Sequence, residues 1–144
     1  MDMDAPQAFD RAKATEEIRR ILFSYPEHID RGDIDGVVQL LTGVKMGNGH
    51  GINAAEIADD ALRTLSAQDV RDMYSRVLLY DDGLPHTKHL ITNVDIWFSD
   101  DCRKASTRSH YVVLQALDDF PLQVIITGRY EDQYELHADE WTLR

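Results

Sequence analysis

Histidine and aspartate side chains are the residues of this sequence best suited to moving a proton. Asp30 closes an apolar helical stripe where the chain turns, and His89 lies in a segment that alternates like a β-strand. A carboxylate at the mouth of a pocket can orient an imidazole and stabilise its protonated form, which makes the imidazole a general base. The plainer interpretations are a turn or capping role for Asp30 and a hydrogen-bonded, half-buried position for His89 and His110. On the residues alone both interpretations stay open.

The histidines do not form a metal-binding pattern. The six are His28, His50, His86, His89, His110 and His137. His86 and His89 are three residues apart, and in a strand this spacing points the two imidazoles to opposite faces. Zinc ligands usually lie two apart on a strand or four apart on a helix, and Cys102 is the only cysteine. We therefore expect no metal ion at these residues.

Helical periodicity covers the first half of the chain. The first apolar stripe consists of Ile18, Ile21, Leu22, Tyr25 and Ile29. Pro26 predicts a kink or a break in this helix, and Asp33 is the predicted N-cap of a second helix. Capping patterns at residues 53–56 and 66–69 predict a third helix and its continuation. Residues 43–51 contain four glycines and predict a loop or a short irregular strand, without the pattern of a dinucleotide-binding site.

The second half of the chain alternates apolar and polar residues. The predicted strands are residues 86–98, 105–117, 122–136 and the final segment 141–144. Short turns separate them, so the long strands are expected to be antiparallel neighbours. Strict alternation places His89, Ile91, Asn93, Asp95 and Trp97 on one face of the first strand. In the third predicted strand, Tyr130 shares a face with Leu122, Val124, Ile126 and Gly128, and this is the side that would line a cavity. Helices followed by a meander indicate an α+β fold, with helices on one face of a curved, mostly antiparallel sheet.

Length and charge limit the class of protein. The chain has 144 residues, which predicts a single domain over residues 1–144 with residues 1–7 flexible. Asp and Glu number 26 against 15 Lys and Arg, and the net charge of -11 repels phosphate backbones, so no nucleic-acid partner is expected. No apolar run approaches the ~20 residues of a membrane span, and the acidic start lacks a signal-peptide pattern. The sequence therefore predicts a cytoplasmic protein without a membrane partner.

Three stretches of the chain resemble SnoaL-like proteins of the nuclear transport factor 2-like superfamily. They are residues 25–36, residues 82–94, and residues 127–135 followed by Trp141. The resemblance extends from Ala8 to Arg144. It implies a cone of curved sheet closed by the N-terminal helices, which agrees with the α+β prediction.

The resemblance also implies a catalytic pair. In the branch of the superfamily that contains scytalone dehydratase, bile acid dehydratase and a dehydrochlorinase, an Asp ends the first helix and a His lies early in the first long strand. Asp30 and His89 fall on these positions. Tyr25 matches a tyrosine five residues before the Asp of bile acid dehydratase, and His110 is similar to the second histidine of scytalone dehydratase. We therefore expect Asp30 and His89 to be catalytic, and Tyr25, His110 and Tyr130 to contact the substrate.

The activity that this resemblance implies is a cofactor-independent lyase. It would eliminate water from a small hydrophobic substrate that is carbonyl-containing or polycyclic. A polyketide cyclase or an isomerase with the same dyad is an alternative, because proton abstraction beside a carbonyl is common to all three. Ketosteroid isomerase itself needs an Asp after the second helix, where residues 43–51 have no carboxylate. A non-catalytic binding or structural subunit is a further alternative.

A homodimer or higher homo-oligomer is also expected. Both faces of the predicted sheet carry aromatic and aliphatic residues, so both need cover. The helices cover one face, and a second copy of the chain would cover the outer one.

Overall fold

The computed structural model describes residues 9–47 and 62–144. The helices are α1 (Arg11–Asp30), α2 (Ile34–Leu41) and α3 (Ala67–Tyr74). The strands are β1 (Lys45–Met46), β2 (Arg63–Thr64), β3 (Thr87–Phe98), β4 (Lys104–Leu117), β5 (Phe120–His137) and β6 (Glu140–Leu143). The predicted capping box at residues 53–56, residues 48–51 of the glycine-rich segment and the predicted flexible start lie outside the described residues.

Helix α1 carries the apolar stripe predicted from the sequence. The side chain of Asp10 accepts a hydrogen bond from the backbone N–H of Lys13 at 3.0 Å and so caps the helix. Ile18, Leu22 and Ile29 are buried along its inner face. The helix continues through Pro26 without a break.

The two shorter helices begin at the predicted caps. Asp33 accepts a hydrogen bond from the backbone N–H of Gly36 at 2.9 Å and starts α2. Ser66 and Asp69 form a complete capping box at the start of α3, since each side chain bonds to the backbone of the other. Helix α3 ends at Tyr74. No helix among the described residues is long and apolar enough to cross a membrane.

The large sheet confirms the α+β prediction. Its four strands are all antiparallel in the order β3-β4-β5-β6, and β1 pairs with β2 in a separate two-stranded sheet. Helix α1 packs on β3 and β6. One core cluster joins the start of α1 to the sheet through Ile18, Ala105, Tyr134 and Trp141. A second core cluster joins the end of α1 to α2 and α3.

A bulge in β3 makes one predicted face wrong. The pairing with β4 shifts between Thr92 and Asp95, and Asn93 has a positive φ of 52°. An extra residue in one strand reverses the alternation beyond it. His89 and Ile91 are therefore partly buried, whereas Asn93, Asp95 and Trp97 are exposed. The residues that take the inner face after the bulge are Val94, Ile96 and Phe98.

A second irregularity, in β5, corrects the faces predicted for Leu122 and Val124. Val113 pairs with Ile126 and Leu114 pairs with Val124, so Ile125 is an extra residue. Tyr130 keeps its phase with Gly128 and Ile126. Beyond the bulge the alternation is reversed, and Leu122 and Val124 lie on the opposite face of the strand.

Candidate functional site

Asp30 and His89 meet where α1 ends and β3 begins. Asp30 is the last residue of α1, and His89 is the third residue of β3. The Asp30 Oδ1 and His89 Nδ1 atoms are 2.7 Å apart, and the two side chains are 11% and 9% exposed. The burial and the short distance distinguish this pair from an ordinary surface ion pair.

The Asp30 carboxylate accepts two further hydrogen bonds. The backbone N–H of His89 donates to Oδ2 at 2.8 Å, and the Thr87 hydroxyl donates to Oδ1 at 2.7 Å. Each partner belongs to β3, so the carboxylate ties the end of α1 to the sheet. Its partners are not those of a local cap or turn residue, which would lie within a few positions of Asp30.

This bonding pattern fixes the hydrogen on the His89 ring. An ionised carboxylate only accepts hydrogen bonds, so Nδ1 must donate to Asp30. In the neutral imidazole the other nitrogen, Nε2, then carries the lone pair. No described residue hydrogen-bonds to Nε2. The pair can thus present a basic nitrogen and stabilise the positive charge that the ring gains with a proton.

Tyr25 belongs to a group of four tyrosines. The Tyr74 hydroxyl donates to the Tyr25 hydroxyl at 2.6 Å, and the rings of Tyr25 and Tyr130 meet edge to face at 5.7 Å. Tyr130 stacks on Tyr111 with ring centroids 4.5 Å apart. Burial raises the pKa of the Tyr25, Tyr74 and Tyr130 phenols, so all three remain neutral O–H groups at neutral pH.

Tyr74 and Tyr111 are the members of this group that sequence reasoning missed. The signal for Tyr111 is Gly128, its partner across β4 and β5. A Cβ atom at Gly128 would lie 2.5 Å from the Tyr111 hydroxyl oxygen, so only glycine leaves room for that ring. The capping box before Tyr74 predicted its helix but not its contact with Tyr25.

A cavity of about 300 Å³ lies between α1, α2 and β5. Tyr25, Tyr74 and Tyr130 line it together with apolar side chains, among them Ile21, Leu22, Leu41, Val44 and Met46. Asp132 and Tyr134 line its β5 wall. Asp30 and His89 are not among the residues that line the cavity in the described part of the chain. Tyr25 is the lining residue that stands nearest to Asp30 on α1.

The structure does not bring His110 to this region. His110 is exposed and pairs with Thr92 and Arg129, which are exposed as well. Its neighbours Ser109 and Tyr111 take the inner face of β4. The expectation of a substrate contact from His110 has no support from its position.

Three other histidines pair with carboxylates on the surface. His28 contacts Asp33 at 2.8 Å, His86 contacts Asp82 at 2.9 Å, and His137 contacts Glu135 at 3.1 Å. His86 and His89 thus have different partners. Within residues 9–47 and 62–144, no three His, Cys, Asp or Glu side chains are grouped as metal ligands would be.

Comparisons with known proteins identify the relatives of this fold. The family model described as SnoaL-like domain matches residues 10–144. No curated protein matches the chain. A proposed scytalone dehydratase from Novosphingobium aromaticivorans is similar in structure, with a TM-score of 0.58, 17% identity, and coverage of 92% of this chain and 80% of that one.

Two further structures from the same organism show how varied the relatives are. An NTF2-like protein with a cystatin-like fold has a TM-score of 0.62 at 12% identity, and covers 92% of this chain and 78% of its own. The beta subunit of a proposed aromatic-ring-hydroxylating dioxygenase has a TM-score of 0.61 at 17% identity, and the match covers 93% of this chain and 87% of that one. At these identities the similarity shows the nuclear transport factor 2-like fold and leaves the activity to the site residues.

Proposed function

Because the chain belongs to the SnoaL-like domain family, we propose that it is a cofactor-independent lyase that acts through Asp30 and His89. The proposed reaction removes water from a small hydrophobic substrate that is carbonyl-containing or polycyclic. The observation that carries the proposal is the buried Asp30–His89 hydrogen bond of 2.7 Å. The carboxylate that makes it is fixed by Thr87 and by the His89 backbone.

In the proposed mechanism, His89 Nε2 removes a proton from the carbon next to the substrate carbonyl. The C–H electron pair forms the new double bond, and the C–O bond of the departing hydroxyl breaks. The departing hydroxyl takes this proton back from the His89 imidazolium and leaves as water, so that no oxidant or reductant is needed. Asp30 stabilises the imidazolium between the two proton transfers. Tyr25, a neutral phenol, donates a hydrogen bond to a substrate oxygen.

A dehydration assay on β-hydroxy ketones and hydroxylated polycyclic compounds tests this proposal. We expect the wild-type protein to release a product that has lost one water, detected by mass spectrometry. His89→Ala should lower the rate by ~10²–10⁴-fold, the usual contribution of a positioned base. A product of unchanged mass would indicate the isomerase or the cyclase alternative, and a new ring in that product, seen by NMR, would identify the cyclase.

His137→Ala is the matched control, because that imidazole also pairs with a carboxylate but is largely exposed. We expect its turnover to equal that of the wild-type protein. Unchanged turnover in His89→Ala would contradict the enzymatic proposal.

A second candidate function is the binding of small molecules without turnover. The observation that favours it is the cavity, which Tyr25 and Tyr130 line but which neither Asp30 nor His89 lines among the described residues. A protein of this kind would bind an apolar ligand with the same affinity in its wild-type and His89→Ala forms, and it would release no product.

A further inference from the structure

The wall of the cavity formed by β5 contains a carboxylic acid that the proposed mechanism does not use. Asp132 lies on the inner face of β5, with Tyr130 and Tyr134 two residues away on either side. Its partner across the sheet is Thr107, whose side chain is buried on β4. The inner face of the sheet therefore carries a polar strip opposite the apolar residues of α1 and α2.

Asp132 is separate from the dyad. His89 pairs with Val113, and Val113 pairs with Ile126, so the row of His89 meets β5 at Ile126. Asp132 is six residues farther along β5, which is roughly 20 Å measured along the strand. A role for Asp132 in the cavity therefore does not depend on the chemistry of Asp30 and His89.

The charges around the cavity are of both signs, so they give it no strong preference for an anion or for a cation. Asp132 and Glu131 are lining residues that would repel an anion. Lys45 and Arg144 also line the cavity and would repel a cation. The remaining walls are aromatic and aliphatic, and they suit a neutral ring system.

From this placement we propose that Asp132 recognises a hydroxyl group on a neutral, flat, cyclic ligand held against the tyrosines of the cavity. An ionised carboxylate has no hydrogen to donate, so the ligand must supply the donor. A hydroxyl supplies one hydrogen and keeps the ligand neutral. The cavity volume of about 300 Å³ is at the lower end of small-molecule sites, which favours a compact ligand of a few rings.

Burial raises the pKa of Asp132 to about 6, and the neighbouring Glu131 carboxylate acts in the same direction. At neutral pH the side chain is therefore mainly ionised. Tyr25 and Tyr134 face it from α1 and from β5, and both remain neutral phenols. A hydrogen bond from a ligand hydroxyl to this carboxylate is charge-assisted, and it is worth more than one between neutral groups.

The experiment compares two probes that differ in one donor. We would measure Kd by titration calorimetry at neutral pH for 2-naphthol and for 2-methoxynaphthalene, which keeps the rings and the oxygen but has no O–H group. The wild-type protein should bind 2-naphthol more tightly by about tenfold to a hundredfold, the range expected for a hydrogen bond to a charged group. Asp132→Leu should reduce this ratio to near one, and 2-methoxynaphthalene should bind as well as before or better.

Two further variants complete the test. Asp95→Asn alters an exposed aspartate on β3 and should leave the ratio unchanged. Asp132→Asn preserves size and polarity, so it should fold even where Asp132→Leu does not, and it should lower the ratio by several fold through loss of the charge. The proposal is overturned if neither probe binds, if the wild-type protein does not distinguish them, or if the folded Asp132 variants keep the wild-type ratio. None of these results bears on turnover by the dyad.

Discussion

Thr87 is the side chain that fixes the direction of the Asp30 carboxylate. Its hydroxyl donates to Oδ1 at 2.7 Å, the same oxygen that faces His89 Nδ1. Without this donor only the His89 backbone N–H at Oδ2 holds the carboxylate, so Oδ1 is less firmly directed at the His89 ring. Thr87 is thus a positioning residue for the dyad and does not itself exchange a proton.

Thr87→Val should lower kcat by about tenfold and change KM little, because the lost bond holds the dyad and not the substrate. Thr87→Ser restores the hydroxyl and should recover most of the rate. Steady-state kinetics on the substrate found in the dehydration assay measures both. A Thr87→Ser variant as slow as Thr87→Val would show that the methyl group, and not the hydrogen bond, is what matters.

Asp132 gives the stability of the protein a pH dependence of a defined sign. Its pKa rises from an ordinary 3.8 to about 6 in the folded protein, chiefly through burial. The folded state therefore binds more protons than the unfolded state between these two values. The contribution of Asp132 to stability is present in full below pH 3.8, the pKa of the unfolded state. It is lost as the pH rises through about 6, the pKa of the folded state.

Asp132→Asn removes this dependence. We expect the variant to gain stability relative to the wild-type protein as the pH rises from about 4 to about 8, by a total on the order of 2 kcal/mol. Urea unfolding at several pH values measures the difference. A difference that is constant across this range would show that Asp132 titrates with its ordinary pKa.

At the scale of elements, Gly128 is the position on which the packing of the tyrosines depends. The Tyr111 ring lies directly over it, with its hydroxyl oxygen 2.5 Å from where a Cβ would stand. Gly128→Ala should destabilise the protein by ~1–3 kcal/mol, the usual cost of overpacking. Thermal unfolding of the single variant measures this loss.

The same substitution made in a Tyr111→Ala background supplies the control. With the ring removed, Gly128→Ala should cost much less, because the two residues are in direct contact and their effects are not additive. Equal losses in the two backgrounds would mean that the strand, and not the ring, requires glycine.

The sequence predicts well those elements whose ends depend on residues close to them in the chain. The cap at Asp33 and the capping box at Ser66 follow from residues close in sequence, and the structure confirms them. The ends of the four strands of the large sheet agree with the prediction to within two residues. The bulges at Asn93 and Ile125 were missed because they arise from the register between strands. A single extra residue there reverses every face prediction beyond it.

The candidate site likewise combines residues that the sequence indicates with contacts that only the tertiary structure shows. Asp30 and His89 were identified by resemblance, yet their contact joins residues 59 positions apart, which only the tertiary structure can show. Tyr74 gave no sequence signal, and the signal for Tyr111, which is Gly128, can be read only once the register of β4 and β5 is known. Residues alternate between the two faces of β4, starting from the buried Ala105. This alternation places His110 on the outer face of the sheet, together with Val112 and Leu114.

At the scale of the whole molecule, residues 9–47 and 62–144 of a single chain leave the outer face of the sheet uncovered. Leu90, Trp97, Leu122 and Val124 are 44%, 49%, 70% and 58% exposed there. Apolar groups clustered on one surface are typical of an interface. We propose that a second copy of the chain packs on this face and forms a homodimer.

Sedimentation at micromolar concentration tests the dimer. The wild-type protein should sediment as a dimer, and Val124→Lys should sediment as a monomer, because a charge would be buried at the interface. Leu78→Lys alters an equally exposed leucine away from the sheet and should leave the dimer intact. A wild-type protein that sediments as a monomer would contradict the dimer. A dimer that persists in Val124→Lys would show that the interface lies elsewhere.

The central claim is that Asp30 and His89 act as one catalytic unit. The most direct measurement is kcat for Asp30→Asn, His89→Ala and the double variant, with thermal unfolding to confirm that each one folds. Each single substitution should lower kcat by ~10²–10⁴-fold, and the double variant should be little worse than either, because residues that act together are not additive. Losses that multiply in the double variant would contradict a dyad.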